Sequence, residues 1–239
     1  MSFLTPALLP STHAELELQL QKLSALPEVS RIQLDIVDGR FAAPASWPYS
    51  EPDFLVELLG RGMMLPQIDR FSYEIDVMVF EPDELLGALF EAGATRLVIH
   101  VETTTSLPRL LASIRRQSGY EKDFAPTHLS IGLAFNIDTS LVPIEPYLAE
   151  VDFVQFMGIA HVGRQGQAFD ARVLKKIRDF HAAHPDLPMQ VDGGVSLVTA
   201  PQLLALGVQN VVVGSALMKS LNMYETFEQF ESLVSPYGV

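Results

Sequence analysis

Short runs of β-branched and apolar residues that stop abruptly at a polar residue recur along this chain roughly every 30 residues, the length of one strand-plus-helix unit. They are Phe3–Leu8, Arg31–Asp35, Tyr73–Asp76, Arg96–His100, Leu129–Ala134, Phe153–Met157, Leu187–Asp192 and Asn210–Val213. Between them lie helical patterns at Ala14–Leu26, Pro52–Leu59, Asp83–Ala92, Leu107–Gln117, Pro143–Leu148, Ala171–His181, Val198–Leu206 and Tyr224–Leu233. Strand–helix alternation throughout predicts a parallel sheet, and eight units close into a ring, so the expected class is α/β, a (β/α)8 TIM barrel. The chain of 239 residues fits one such domain, 1–239, since these barrels commonly use about 250 residues. An open doubly wound sheet often carries a glycine-rich turn after its first strand, and nothing like G-x-G-x-x-G follows Leu8.

Boundary residues support this division. Ser11 is placed to cap the first helix, with Glu15 and Glu17 in its early turns. Asp83, after Pro82, opens the third helix, and Ala92-Gly93 and Leu206-Gly207 read as helix stops at which glycine takes the left-handed position. Two insertions, 42–52 and 119–127, are longer than ordinary connections and read as functional lids or surface elaboration. Trp47, in the first of them, is expected either to close over a ligand or to join a subunit contact.

Composition narrows the partners. With 29 acidic against 16 basic side chains and a net charge of −13, nucleic acid is not the expected partner, because that binding relies on basic groups neutralising phosphates. A small phosphorylated ligand remains open, since backbone N–H groups can hold it. The absence of cysteine excludes disulfides, a thiolate zinc site and a cysteine nucleophile. No apolar run reaches the roughly 18 residues of a membrane span, and MSFLTPALLPS lacks the basic region of a secretory signal. The expectation is a cytoplasmic protein with no membrane partner.

Reactive groups of a barrel sit at the C-terminal ends of its strands. Four of the apolar runs end there in Asp35, Asp76, His100 and Asp192. Most strand-end aspartates merely start loops or cap helices; several around one rim must share protons, bind a cation, or both. The strand period of two puts Gln33 on the face of Asp35 and Gln190 on the face of Asp192. Glycines follow the last two runs, in Asp192-Gly193-Gly194 and Val213-Gly214-Ser215. Each alone reads as a turn; the pair, in consecutive final units, matches the usual phosphate corner of such barrels.

These segments carry a resemblance. Leu34-Asp35-Ile36-Val37-Asp38-Gly39-Arg40-Phe41 is similar to the H-x-D-x-M-D-G-x-F signature of ribulose-phosphate 3-epimerases. Val77-Met78-Val79 with Pro82, Ile99-His100-Val101-Glu102, Gly132-Leu133-Ala134-Phe135-Asn136, Met157, Gly166-Gln167-Ala168-Phe169 and the two glycine corners resemble the remaining motifs in order. The departures fall on the site: the family's first-strand serine is Ala7, its two metal-binding histidines are Gln33 and Asp76, and its N-P-G-F-G-G-Q loop reads Ala160-His161-Val162-Gly163-Arg164-Gln165-Gly166-Gln167.

What the resemblance implies is epimerisation of D-ribulose 5-phosphate and D-xylulose 5-phosphate, or a similar ketose phosphate, through an enediolate. Asp35 and Asp192 would be the two acid/base groups, and Asn136, Met157, Gly193, Gly194, Gly214 and Ser215 would contact the substrate or its phosphate. Asp35, Asp76, Asp192 and Gln33 would hold a divalent cation, and their all-oxygen donors favour magnesium or manganese over zinc. Met78 is expected at the substrate cavity beside Met157, and Arg164 near the phosphate. Family members are generally homo-oligomers, which sets that expectation here. The alternative is a non-catalytic sugar-phosphate-binding homologue without the metal site.

Overall fold

The computed structural model describes residues 3–119 and 129–234. Beyond Gly119, the predicted 119–127 insertion lies outside the described residues. Eight strands form one closed parallel barrel: β1 (Leu4–Leu8), β2 (Arg31–Val37), β3 (Ser72–Met78), β4 (Ala94–His100), β5 (Ser130–Phe135), β6 (Phe153–Met157), β7 (Met189–Asp192) and β8 (Asn210–Val213). Each strand pairs with its sequence neighbours, and β1 closes on β8 through Leu4–Val211, Thr5–Val212 and Pro6–Val213. The expected (β/α)8 barrel is therefore present.

The helices are α1 (His13–Leu23), α2 (Pro52–Leu59), α3 (Asp83–Glu91), α4 (Leu107–Ser118), α5 (Arg172–Ala183), α6 (Ala200–Leu204), α7 (Ser215–Met218) and α8 (Met223–Ser232). Thr12, rather than Ser11, caps α1: its hydroxyl accepts from Glu15 N at 3.1 Å, while Ser11 N donates back to Glu15 Oε2 at 2.7 Å. The expected glycine stops are present, with φ of +101° at Gly93 and +82° at Gly207. The expected helix Pro143–Leu148 lies within a 3₁₀ stretch, Val142–Glu150; Pro146, inside it, lacks the N–H that an α-helix needs.

The apolar core lies outside the barrel wall, where Ile32, Leu34, Ile36, Ile75, Leu97, Ile131, Leu133, Phe156 and Val191 meet the helices. Alternate residues face inward, and they are largely polar. Gln33 is in register with Glu74, Glu74 with Arg96, Gln155 with Gln190, and Gln190 with Asn210. One layer higher, Asp35 is level with Asp76 and Met157 with Asp192. Low in the barrel, Arg96 stacks 3.8 Å above the Phe153 ring, and that ring fills the space a side chain at Gly132 would need.

The 42–52 insertion is tied to the barrel through Ser46 and Trp47. Ser46 Oγ donates to Asp35 O at 2.9 Å and accepts from Val37 N at 2.9 Å, which fixes the upper end of β2. Trp47 N donates to Pro10 O at 2.9 Å. The Trp47 ring is fully buried beside His13 and Phe54, at 5.8 and 6.0 Å between ring centres. The ring joins α1 to α2 and leaves no outward surface for a subunit contact. Trp47→Ala should lower unfolding stability by about 3–5 kcal/mol in urea titrations; a loss below about 1 kcal/mol would show that this anchor is dispensable.

Candidate active site

The C-terminal strand ends bring the predicted carboxylates together. One oxygen from each of Asp35, Asp76 and Asp192 lies within 4.8 Å of the others. Asp76 is completely buried, Asp35 nearly so, and Asp192 partly exposed at the mouth. Gln33, one layer below, donates from the same Nε2 to Asp35 Oδ1 at 2.9 Å and to Asp192 Oδ2 at 3.1 Å. Gln155 Nε2 donates to Asp76 Oδ2 at 3.0 Å.

His100, at the end of β4, supplies the opposing charge. Its Nε2 stands 3.0 Å from Asp76 Oδ1 and its Nδ1 3.7 Å from Glu102 Oε2. Burial by itself would lower the pKa of this imidazole, but Asp76 on one side and Glu102 on the other outweigh it and raise it to about 10. His100 is therefore an imidazolium at neutral pH. Glu102 shifts the opposite way: burial raises its pKa, but His100, Thr139 and the Asn136 N–H together hold it below the usual carboxylate range.

The carboxylates nearer the mouth lack a full counter-charge. Burial, followed by the charges of Asp192 and Asp76, drives the pKa of Asp35 well up against the opposing pull of Gln33 and His100. Burial, then Asp76, lifts Asp192 to about 7. Near neutral pH such a pair can present one protonated and one ionised carboxyl, the condition for giving a proton and taking another at one carbon.

Above this floor is a cavity of about 220 Å³, lined by Asp35, Asp192, Met78, Met157, Gly193, Gly194, Gly214 and Ser215 among others. All the predicted contact residues except Asn136 thus share it. The Asn136 N–H donates to Glu102 Oε1 at 2.9 Å, tying this residue to the β4 end rather than the cavity. Gly194 has φ +67°, and a Cβ there would sit 2.5 Å from Phe169 Cα, so only glycine fits this corner. Arg164 also lines the cavity, with its Nε donating to Ala43 O at 2.8 Å.

Residues 3–218 match the model of the family described as "Ribulose-phosphate 3 epimerase family". The chain belongs to that family. The ribulose-phosphate 3-epimerase of Bacillus subtilis (strain 168) is 29% identical over 190 residues, covering 77% of this chain and 78% of that protein. The ribulose-phosphate 3-epimerase of Buchnera aphidicola (subsp. Acyrthosiphon pisum, strain APS) is 26% identical over 224 residues, or 92% and 89% of the two chains. Among solved structures, the fold is similar to a complex of KGPDC from Streptococcus mutans, with a TM-score of 0.70, 13% identity and coverage of 99% and 98%. It is also similar to 3-hexulose-6-phosphate synthase from Salmonella typhimurium, with a TM-score of 0.67, 15% identity and coverage of 99% and 100%. At these identities the structural likenesses speak for the fold alone.

For a member of the epimerase family, the donor set is unusual. The three aspartates fit a hard divalent cation: they are crowded, oxygen-only, and include Asp76 Oδ1, which is buried without a well-formed hydrogen bond. Gln33, the fourth expected ligand, presents its nitrogen to Asp35 and Asp192. Glu74 and Gln155, absent from the sequence-derived site, complete the polar layer beneath it; each stands two residues before a cavity-floor or mouth residue, the same spacing that marked Gln33 and Gln190.

The raised pKa of Asp192 also bears on stability. Folding favours its protonated form, so a contribution fully present below the ordinary value of 3.8 is lost as pH rises through about 7. Asp192→Asn, which cannot ionise, should therefore gain Tm relative to the parent chain as pH rises from about 4 to about 7, and the gain should level off above that. Tm curves that stay parallel across this window would refute the shift.

Proposed function

We propose that this protein is a ketose-phosphate 3-epimerase acting on D-ribulose 5-phosphate and D-xylulose 5-phosphate or a close analogue. The observation that carries this reading is a single cavity with the Asp35–Asp192 pair at its floor and the glycine corners after β7 and β8 in its wall. Membership of the epimerase family and the modest cavity size support a small phosphorylated sugar.

In this reading the phosphate lies against the backbone of Gly193, Gly194, Gly214 and Ser215, which approach an anion without side-chain hindrance. Met78 and Met157 flank the carbon chain. The ionised member of the carboxyl pair removes the C3 proton, and the electrons of that C–H bond move toward the C2 carbonyl to form the enediolate. The protonated member then returns a proton to C3 from the opposite face, inverting that centre and leaving the pair with its protonation states exchanged. Asp35, Asp76 and Asp192 would hold a divalent cation, magnesium or manganese by their oxygen donors, whose chemistry is to neutralise charge on the enediolate oxygens. His100 stands beside them, with its Nε2 3.0 Å from Asp76 Oδ1.

The test is exchange of the C3 hydrogen of ribulose 5-phosphate in deuterated water, followed by NMR, with metal-stripped protein and after adding magnesium or manganese. Exchange and conversion to xylulose 5-phosphate are expected in the metal-supplemented protein. Asp35→Asn and Asp192→Asn should each reduce turnover by about 10²- to 10⁴-fold. Absence of exchange under every condition, with pentose-phosphate binding still detectable by thermal shift, would replace this reading with that of a non-catalytic sugar-phosphate binder.

A further inference from the structure

Asp35 and Asp192 stand on strands that share no ladder hydrogen bonds, since β1 and β8 separate β2 from β7 around the ring. What joins them is a side chain. Gln33 is completely buried, and its Nε2 reaches both carboxylates, at 2.9 and 3.1 Å, across a sequence separation of 159 residues for Asp192. A carboxamide nitrogen has two hydrogens, enough for one to each carboxylate.

The layer beneath sets the orientation of this amide. Gln33 Oε1 faces Gln190 Nε2 at 3.5 Å, and the same nitrogen donates to Glu74 Oε1 at 2.5 Å and Gln155 Oε1 at 2.7 Å. Gln190 Oε1 is in turn occupied by Asn210 Nδ2 at 2.5 Å. Reversing the Gln33 amide would aim its oxygen at two carboxylates and its NH2 at another NH2. The oxygen would repel the ionised carboxylate and the two NH2 groups would repel each other, so the observed orientation is favoured from below.

We propose that Gln33 is the positioning residue of the acid/base pair, a cross-barrel clamp that fixes Asp35 and Asp192 relative to each other without touching substrate. The inference rests on the epimerase reading for its effect on turnover, but not for its effect on geometry. Two proton carriers that must serve opposite faces of one carbon tolerate little displacement; a shift of about 1 Å can cost about 10²-fold in rate. The clamp therefore acts on the chemical step rather than on binding of the phosphorylated tail.

The test uses Gln33→Met, which keeps bulk and removes the donor, and Gln190→Leu, which removes the orienting partner. Gln33→Met should lower kcat about ten- to a hundredfold, the loss expected when hydrogen bonds to charged groups are removed, with KM within about twofold. Gln190→Leu should change kcat in the same direction by a smaller factor, and it decides the matter if Gln33→Met fails to fold. Crystal structures of both variants should show the Asp35 and Asp192 carboxylates moved apart. An unchanged kcat in an active parent background overturns the proposal, as does an unchanged carboxylate separation. A parent protein without turnover strikes the epimerase reading instead, and the carboxylate separation in the variants then decides the clamp by itself.

Discussion

Closing a parallel sheet of eight strands forces side chains from distant parts of the sequence into one narrow interior. Here that interior receives three aspartates whose oxygens lie within 4.8 Å of one another. Like charges at such separations, away from bulk water, cannot all remain ionised without compensation. The rest of the site answers that problem. His100 balances Asp76, Gln33 gives its two hydrogens to Asp35 and Asp192, and the residual strain appears as raised proton affinity in the two groups nearest the mouth. Chemical competence and electrostatic discomfort thus have the same origin.

The compensation extends below the carboxylates. A barrel interior is usually filled by branched apolar side chains, yet this one carries Gln33, Glu74, Gln155 and Gln190, joined by Arg31, Arg96 and Asn210. Buried amides are tolerable only when donors meet acceptors throughout. Arg96 donates to Glu74 Oε2 at 2.5 Å, so the acid facing Gln190 is itself neutralised from beneath. The barrel wall, by contrast, obtains its apolar packing on its outer face, against the helices.

Much of this was legible before any coordinates. The strands announced themselves as short β-branched, apolar runs recurring about every 30 residues; β6 and β8 coincide with the runs Phe153–Met157 and Asn210–Val213. Asp35, Asp76 and Asp192 could be grouped because strand ends of a barrel share one rim. Less accessible was anything that depends on which atom of a side chain points where. Spacing cannot reveal that Gln33 presents nitrogen rather than oxygen, since this follows from Gln190 on a strand far away in sequence. Asn136 looked like a cavity residue from its motif, but Glu102 draws its backbone N–H toward the end of β4. Trp47 lay in a loop rich in proline, and only the approach of α1 to α2 shows why its ring is interior.

The amide layer also constrains how a lineage carrying this barrel can change. Gln190 contacts Gln33, Glu74, Gln155 and Asn210 at once. A single replacement anywhere in that set strands a neighbour's donor or acceptor, at about 1–3 kcal/mol for each buried group left unmet. A protein with ordinary marginal stability survives few such steps. Drift at these positions must consequently proceed by concerted exchange, and divergence among descendants will accumulate in the connecting segments, where a lost hydrogen bond is replaced by solvent.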